Sequence, residues 1–204
     1  MTRLRRRNVV LLGVAALAGL SACGPSQLGA AAVVNSQRIT VSDVQGALTS
    51  IRDVQDQYGL SHADPSTAAR NEVQRRVVEL VFERAARDLG INVSDGEVSD
   101  AIDAEKKLLG GPEQFRQALA QANISADQIT EVFRQQVINA KIGIKMEAQA
   151  GAKLTQDQVD QKVHDTLVAT AKRLHIRINP RYGTFDATKG QIAAPAPDFL
   201  HPTG

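Results

Sequence analysis

The chain has 204 residues, with 24 lysines and arginines against 22 aspartates and glutamates. Four arginines lie within the first seven residues, so removal of residues 1–22 would leave 20 positive and 22 negative side chains, a balance that argues against nucleic-acid binding. The single cysteine excludes a disulfide within the chain. The four histidines lack the spacing of metal ligands, so we expect neither a metal nor another cofactor.

The first 22 residues have the pattern of an export signal. A basic head is followed by an uncharged apolar run over 9–20, which is short for a membrane span. The junction Leu20-Ser-Ala-Cys23-Gly24 resembles the lipobox of bacterial lipoproteins. We therefore expect a signal peptide over 1–22, a lipid on Cys23, a tether over 23–29 and a protein on the extracytoplasmic face of the cell membrane. A signal peptide without lipidation is the alternative, and the general and twin-arginine export routes both stay open.

Two segments at opposite ends of the chain have the character of short strands. Residues 30–39 are apolar at first and contain a turn at Asn35-Ser36. Residues 174–178 alternate apolar and polar side chains, which is the period of a half-buried strand. We expect these two segments to pair, because nothing else in the chain competes for either of them.

The sequence between the two strands predicts helices throughout. Apolar residues recur at helical spacing, glycines at 59, 90 and 151 mark helix ends, and Gly110-Gly111-Pro112 forces a break. Capping boxes predict the starts of three helices, at Ser94 with Glu97, Ser125 with Gln128, and Thr155 with Gln158. Residues 187–204 contain three of the seven prolines and are expected to form a disordered tail.

The order of these elements, with VVNSQRITVSDV near the start and INPRYGTFD near the end, resembles the N-terminal domain of the SurA and PrsA chaperone and foldase family. The resemblance covers residues 30–186. It implies a mainly α fold, a SurA N-terminal-domain-like helical domain closed by a small two-stranded sheet that pairs the N- and C-terminal segments.

Members of that family commonly insert a parvulin prolyl-isomerase domain before the closing strand. In this chain only 29 residues follow His175, too few for a packed domain. A lone histidine does not make an acid-base site, so His175 is interpreted as a polar residue on the outer face of its strand. We therefore expect no enzyme activity.

A chaperone needs apolar surface that accepts many sequences. On the longest predicted helix, Ile138, Ile142 and Met146 form a stripe roughly opposite a first stripe that begins at Ile129 and Phe133. This second stripe, together with Phe115 on a shorter helix, gives the candidate client-binding residues. Packing of the same side chains in the core is the alternative.

Two functions remain open from the sequence. The first is a membrane-anchored extracytoplasmic chaperone, a holdase that binds unfolded or newly exported polypeptides without isomerase activity. The second is a lipoprotein interaction module that binds one dedicated envelope partner. The expected partners are therefore polypeptides and, through Cys23, the membrane.

Overall fold

A computed structural model describes residues 29–195 of the chain. Within these residues the structure has six α-helices and five short strands, and the predicted mainly α fold class is confirmed. The elements are β1 (Ala30–Val34), β2 (Gln37–Thr40), α1 (Val41–Gln57), α2 (Pro65–Asp88), α3 (Asp95–Leu108), α4 (Pro112–Gln121), α5 (Ile129–Ala150), α6 (Gln156–Arg173), β3 (Ile176–Ile178), β4 (Thr184–Asp186) and β5 (Gln191–Ala193).

The two ends of the described chain are joined in one antiparallel sheet, as the sequence predicts. β1 is the central strand, and Val34 lies opposite Ile176 of β3. The sheet differs from the expectation in having three strands, in the order β2-β1-β3. The additional strand forms because Asn35 adopts a left-handed conformation (φ 53°) and turns the chain directly back along β1.

The three predicted capping boxes are all present: Ser94 with Glu97, Ser125 with Gln128, and Thr155 with Gln158. The second of them begins a 3₁₀ turn over Ala126–Gln128, and α5 follows at Ile129. A further capping box joins Thr40 and Asp43 at the start of α1. Side-chain oxygens therefore satisfy backbone donors that the helix starts would otherwise leave unpaired.

The core consists of three apolar clusters arranged along the helices. The first packs the sheet against α1 and α2 around Val73 and Val77. The second joins α2, α5 and α6 around Ile142. The third joins α3, α4 and α5 around Phe115 and Phe133, whose ring centroids are 5.9 Å apart. α5 contributes to two of these clusters, so it needs apolar side chains on two faces.

The segment after residue 186 corrects the prediction of a disordered tail over 187–204. Gln191–Ala193 form β5, which pairs with β4 in a second, two-stranded sheet. Ile192 is buried, and its N–H donates to Oε1 of Gln74 on α2 at 2.9 Å. The ordered fold therefore extends beyond the expected boundary at 186, because one buried isoleucine and one bond to α2 hold the hairpin. Residues 196–204 of the predicted tail lie outside the described residues.

Candidate functional site

The four candidate client-binding residues lie mostly inside the protein. Phe115, Ile138 and Ile142 are 4%, 4% and 0% exposed, and Met146 is half-buried. The prediction that these residues offer a surface is wrong for the three buried side chains. The physical reason is that α5 packs against α2, α3 and α6, so the stripe containing Ile138 and Ile142 is enclosed by the second cluster.

The other stripe of α5 is the more exposed one. Phe133 at its start is buried, but Val137 is half-buried, Ala140 is exposed, and Ile144 is 66% exposed. Among the described residues, Ile144 and Leu108 on α3 are the large hydrophobic side chains most open to solvent. They lie on different helices, and single exposed hydrophobic residues are ordinary in folded proteins.

A concave apolar surface lies between α2, α6 and the C-terminal hairpin, and we call it the α2–α6 groove. It encloses about 180 Å³. Its walls are mostly aliphatic and aromatic, whereas His164 and Lys189 stand at its polar rim. The apolar lining residues are Val78, Val81, Phe82, Leu167, Val168, Ala171, Phe185 and Ala187.

The hairpin forms one wall of this groove because of a close backbone contact. Gly183 has a φ of 115°, and a Cβ atom there would lie 1.8 Å from the carbonyl oxygen of Ala193. Only glycine permits this approach of β5 to the start of β4. The hairpin then brings Phe185 and Ala187 beside α6. This wall was not predicted, because the composition of residues 187–204 favours a disordered tail and gives no sign of β5.

A second cavity, also of about 180 Å³, lies between α1, α2 and the end of α4 and has a mixed polar and apolar lining. At its base the buried carboxylate of Glu72 accepts hydrogen bonds from Arg75, Arg76 and Gln128. Gln55, also buried, donates to Oδ1 of Asn123 at 2.9 Å. These bonds satisfy the buried polar groups and tie α2 to the turn before α5, which is a structural role.

Two carboxylates of the described residues have environments that shift their pKa values. Nζ of Lys141 lies 2.5 Å from Oε1 of Glu97, and this contact, helped by the N–H of Ser94, lowers the pKa of Glu97 to about 2. Burial raises the pKa of Glu79. His175 is exposed and lies directly before β3. Across residues 29–195 no three histidine, cysteine, aspartate or glutamate side chains are grouped so as to hold a metal ion.

The family described as SurA-like N-terminal domain matches residues 7–143. That span is more than half of the chain. The chain belongs to the SurA-like N-terminal domain family. The match ends within α5, so it covers α1 to α4 and the whole of the third cluster. The resemblance noted in the sequence also includes α6 and β3.

Curated relatives of this SurA-like domain carry the name Chaperone SurA. The protein of Yersinia pestis bv. Antiqua (strain Antiqua) is 26% identical over 137 residues, which cover 66% of this chain and 32% of the relative. That of Salmonella typhimurium is 24% identical over the same shares. The chain therefore spans about a third of the length of these relatives.

The membrane predictions concern the helices of the fold and the N-terminal residues. Within residues 29–195, none of the helices combines the length and the apolar character that crossing a bilayer requires. The predicted signal peptide, the tether as far as residue 28 and the lipidation site Cys23 lie outside the described residues.

Proposed function

We propose that this SurA-like domain is a membrane-anchored extracytoplasmic holdase, which binds unfolded or newly exported polypeptides without isomerase activity. The observation that carries the proposal is the α2–α6 groove, an open apolar surface on a domain of a chaperone-related family. The groove replaces the second stripe of α5 as the proposed client site.

The composition of the groove suits clients of varied sequence. Half-buried side chains such as Val78, Val168 and Phe185 offer apolar contact without hydrogen-bond donors or acceptors that would select one partner. With about 180 Å³, the groove has room for one or two client side chains. Burying one such side chain contributes about 1.5–3 kcal/mol, so each contact is weak and reversible, as a holdase requires.

The proposed anchor would keep this groove near the membrane. A diacylated Cys23 would be followed by residues 24–29, which reach at most about 20 Å before β1 begins. Two acyl chains suffice for stable attachment, whereas one is marginal. Polypeptides that emerge from the membrane would therefore meet the domain at high local concentration.

Fractionation with detergent partitioning tests the anchor. Cys23→Ala should move the protein from the detergent phase to the aqueous phase, while Ser21→Ala, which leaves the cysteine in place, should remain with detergent. An aqueous parent protein, or a Cys23→Ala variant that stays with the membranes, contradicts the lipid anchor.

The holdase activity is tested with residues 23–204 carrying Cys23→Ser, which contain the whole described fold. This protein should slow the aggregation of several unrelated denatured proteins at near-stoichiometric ratio and without nucleotide. Prolyl isomerisation of a test peptide should keep its uncatalysed time of tens to hundreds of seconds. Tight binding to one native envelope protein, without suppression of aggregation, would instead favour the dedicated interaction module.

A further inference from the structure

The three-stranded sheet has an open edge at β3. In the order β2-β1-β3, β3 has a strand neighbour on one side only among the described residues. The N–H of Asn35 donates to the carbonyl of His175, and the N–H of Asn179 donates to that of Ala31, so the odd-numbered positions of β3 face β1. In an antiparallel ladder the intervening residues, including Ile178, direct their backbone groups away from β1.

A groove runs beside this open edge, and we call it the β3-edge groove. It encloses about 660 Å³, more than three times the volume of the α2–α6 groove. Its walls are the half-buried side chains of Ile176, Ile178 and Phe185, with exposed Arg181 at one side. The N–H of Ile176 donates to the carbonyl of Leu174, so the backbone groups of Ile178 are the ones that this edge offers. An apolar groove beside such groups is the arrangement that accepts an added strand.

The chain itself leads into this groove. Pro195, the last described residue, is one of the groove's lining residues. The following segment is Ala196-Pro-Asp-Phe-Leu-His-Pro-Thr-Gly204, in which Phe199 and Leu200 are the large apolar residues. Phe199 lies four positions after Pro195, a distance of up to about 13 Å in an extended chain, which is enough to enter the groove.

Two further features of this segment fit the edge of β3. Residues 198–201 contain no proline and lie between Pro197 and Pro202, so all four have backbone N–H groups available for strand pairing. These four residues are enough to pair along the three residues of β3. Asp198 is the acidic residue of the segment, and it would lie opposite the cationic Arg181.

We propose that residues 198–201 fold back in cis onto the open edge of β3 and place the Phe199-Leu200 pair against the β3-edge groove. The segment thereby covers the exposed strand edge, which would otherwise offer a site for pairing with another chain. This proposal is independent of the holdase function, because it concerns a different groove and an intramolecular occupant.

Tryptophan fluorescence tests the proposal cleanly because the chain contains no tryptophan. The experiment uses residues 23–204 with Cys23→Ser and with Phe199→Trp as the source of the only tryptophan. Compared with a matched Thr203→Trp variant, Phe199→Trp should emit at shorter wavelength and lose much of its quenching by acrylamide. Equal emission and equal quenching at the two positions would overturn the proposal.

Two further measurements identify the occupant and the groove. Protection of the indole in the Phe199→Trp protein should be independent of protein concentration, and protection that grows with concentration would assign the groove to a second copy instead. Adding Arg181→Glu to the Phe199→Trp protein should expose the indole and restore much of its quenching by acrylamide. Adding Asp198→Arg as well should restore the opposite charges and protect the indole again. Protection that Arg181→Glu leaves unchanged, with the thermal midpoint also unchanged, would place position 199 outside this groove.

Discussion

Asn35 and His175, 140 positions apart in the sequence, bond to each other twice. The N–H of Asn35 donates to the carbonyl of His175 at 3.0 Å, and the N–H of His175 donates to Oδ1 of Asn35 at 3.1 Å. The asparagine also makes the left-handed turn between β1 and β2. One residue therefore shapes the N-terminal hairpin and joins it to the closing strand.

Substitutions at Asn35 should separate these two roles. Asn35→Gly keeps the left-handed backbone and loses the side-chain bond, so the free energy of unfolding should fall by about 0.5–1.5 kcal/mol. Asn35→Ala loses the same bond, and alanine tolerates the left-handed region less well than asparagine or glycine. The free energy of unfolding should therefore fall by roughly 1 kcal/mol more than in Asn35→Gly. Urea unfolding measures both variants. Equal stability of Asn35→Ala and the parent would contradict the proposed role of this turn.

Ile142 and Ile144 lie on the same helix with opposite environments, 0% and 66% exposed. Ile142→Ala should lower the free energy of unfolding by about 2–5 kcal/mol, since it leaves a cavity in the second cluster. Ile144→Ala, the matched control, should change it by less than about 0.5 kcal/mol. Chemical denaturation followed by circular dichroism distinguishes them, and similar losses at both positions would contradict the burial described for α5.

Local chemistry explains which parts of the fold the sequence could predict. A capping box such as Ser94 with Glu97 acts over three residues, and the alternation over 174–178 specifies a half-buried strand wherever it packs. The choice between the two apolar stripes of α5 depends on tertiary contacts. Gly143 was a usable signal for the buried face of α5. A Cβ atom there would lie 3.0 Å from the side chain of Val159 on α6, so the glycine marks the face that meets a neighbouring helix.

The C-terminal hairpin also has local sequence signals, which lie in the turn between β4 and β5. The side chain of Asp186 accepts hydrogen bonds from the N–H and the hydroxyl of Thr188, and Gly190 completes the turn at a φ of 63°. These are turn residues between two short strands. The α2–α6 groove could not be predicted without them, because the hairpin supplies its outer wall.

Tyr182 is buried, and among the described residues its hydroxyl has no hydrogen-bond partner. Such a group costs about 1–3 kcal/mol of desolvation, so Tyr182→Phe should leave stability unchanged or raise it by up to that amount. Tyr58→Phe is the matched control, because the Tyr58 hydroxyl donates to Oε1 of Glu113 at 2.9 Å and its removal should lower stability slightly. A thermal midpoint that falls for Tyr182→Phe would indicate a partner for this hydroxyl.

Glu97 should make the domain sensitive to acid. Its pKa in the folded protein is lowered from 4.5 to about 2 by Lys141 and by the N–H of Ser94. The stability that this carboxylate contributes is therefore complete at a pH above 4.5, and it is lost as the pH falls through about 2. Urea midpoints of the parent and Glu97→Gln should differ at neutral pH and converge across this window. A difference that persists below about pH 2 would contradict the assignment.

A charge on the wall of the α2–α6 groove should abolish client binding if clients bind there. Val168→Asp puts a charge on the half-buried wall of the groove, whereas Ile144→Asp puts the same charge on an exposed site away from the groove's lining. Val168→Ser serves as a milder variant if the aspartate lowers the thermal midpoint. With helical content matched by circular dichroism, Val168→Asp should lose suppression of client aggregation and Ile144→Asp should retain it. Full suppression by a folded Val168→Asp protein would contradict the account.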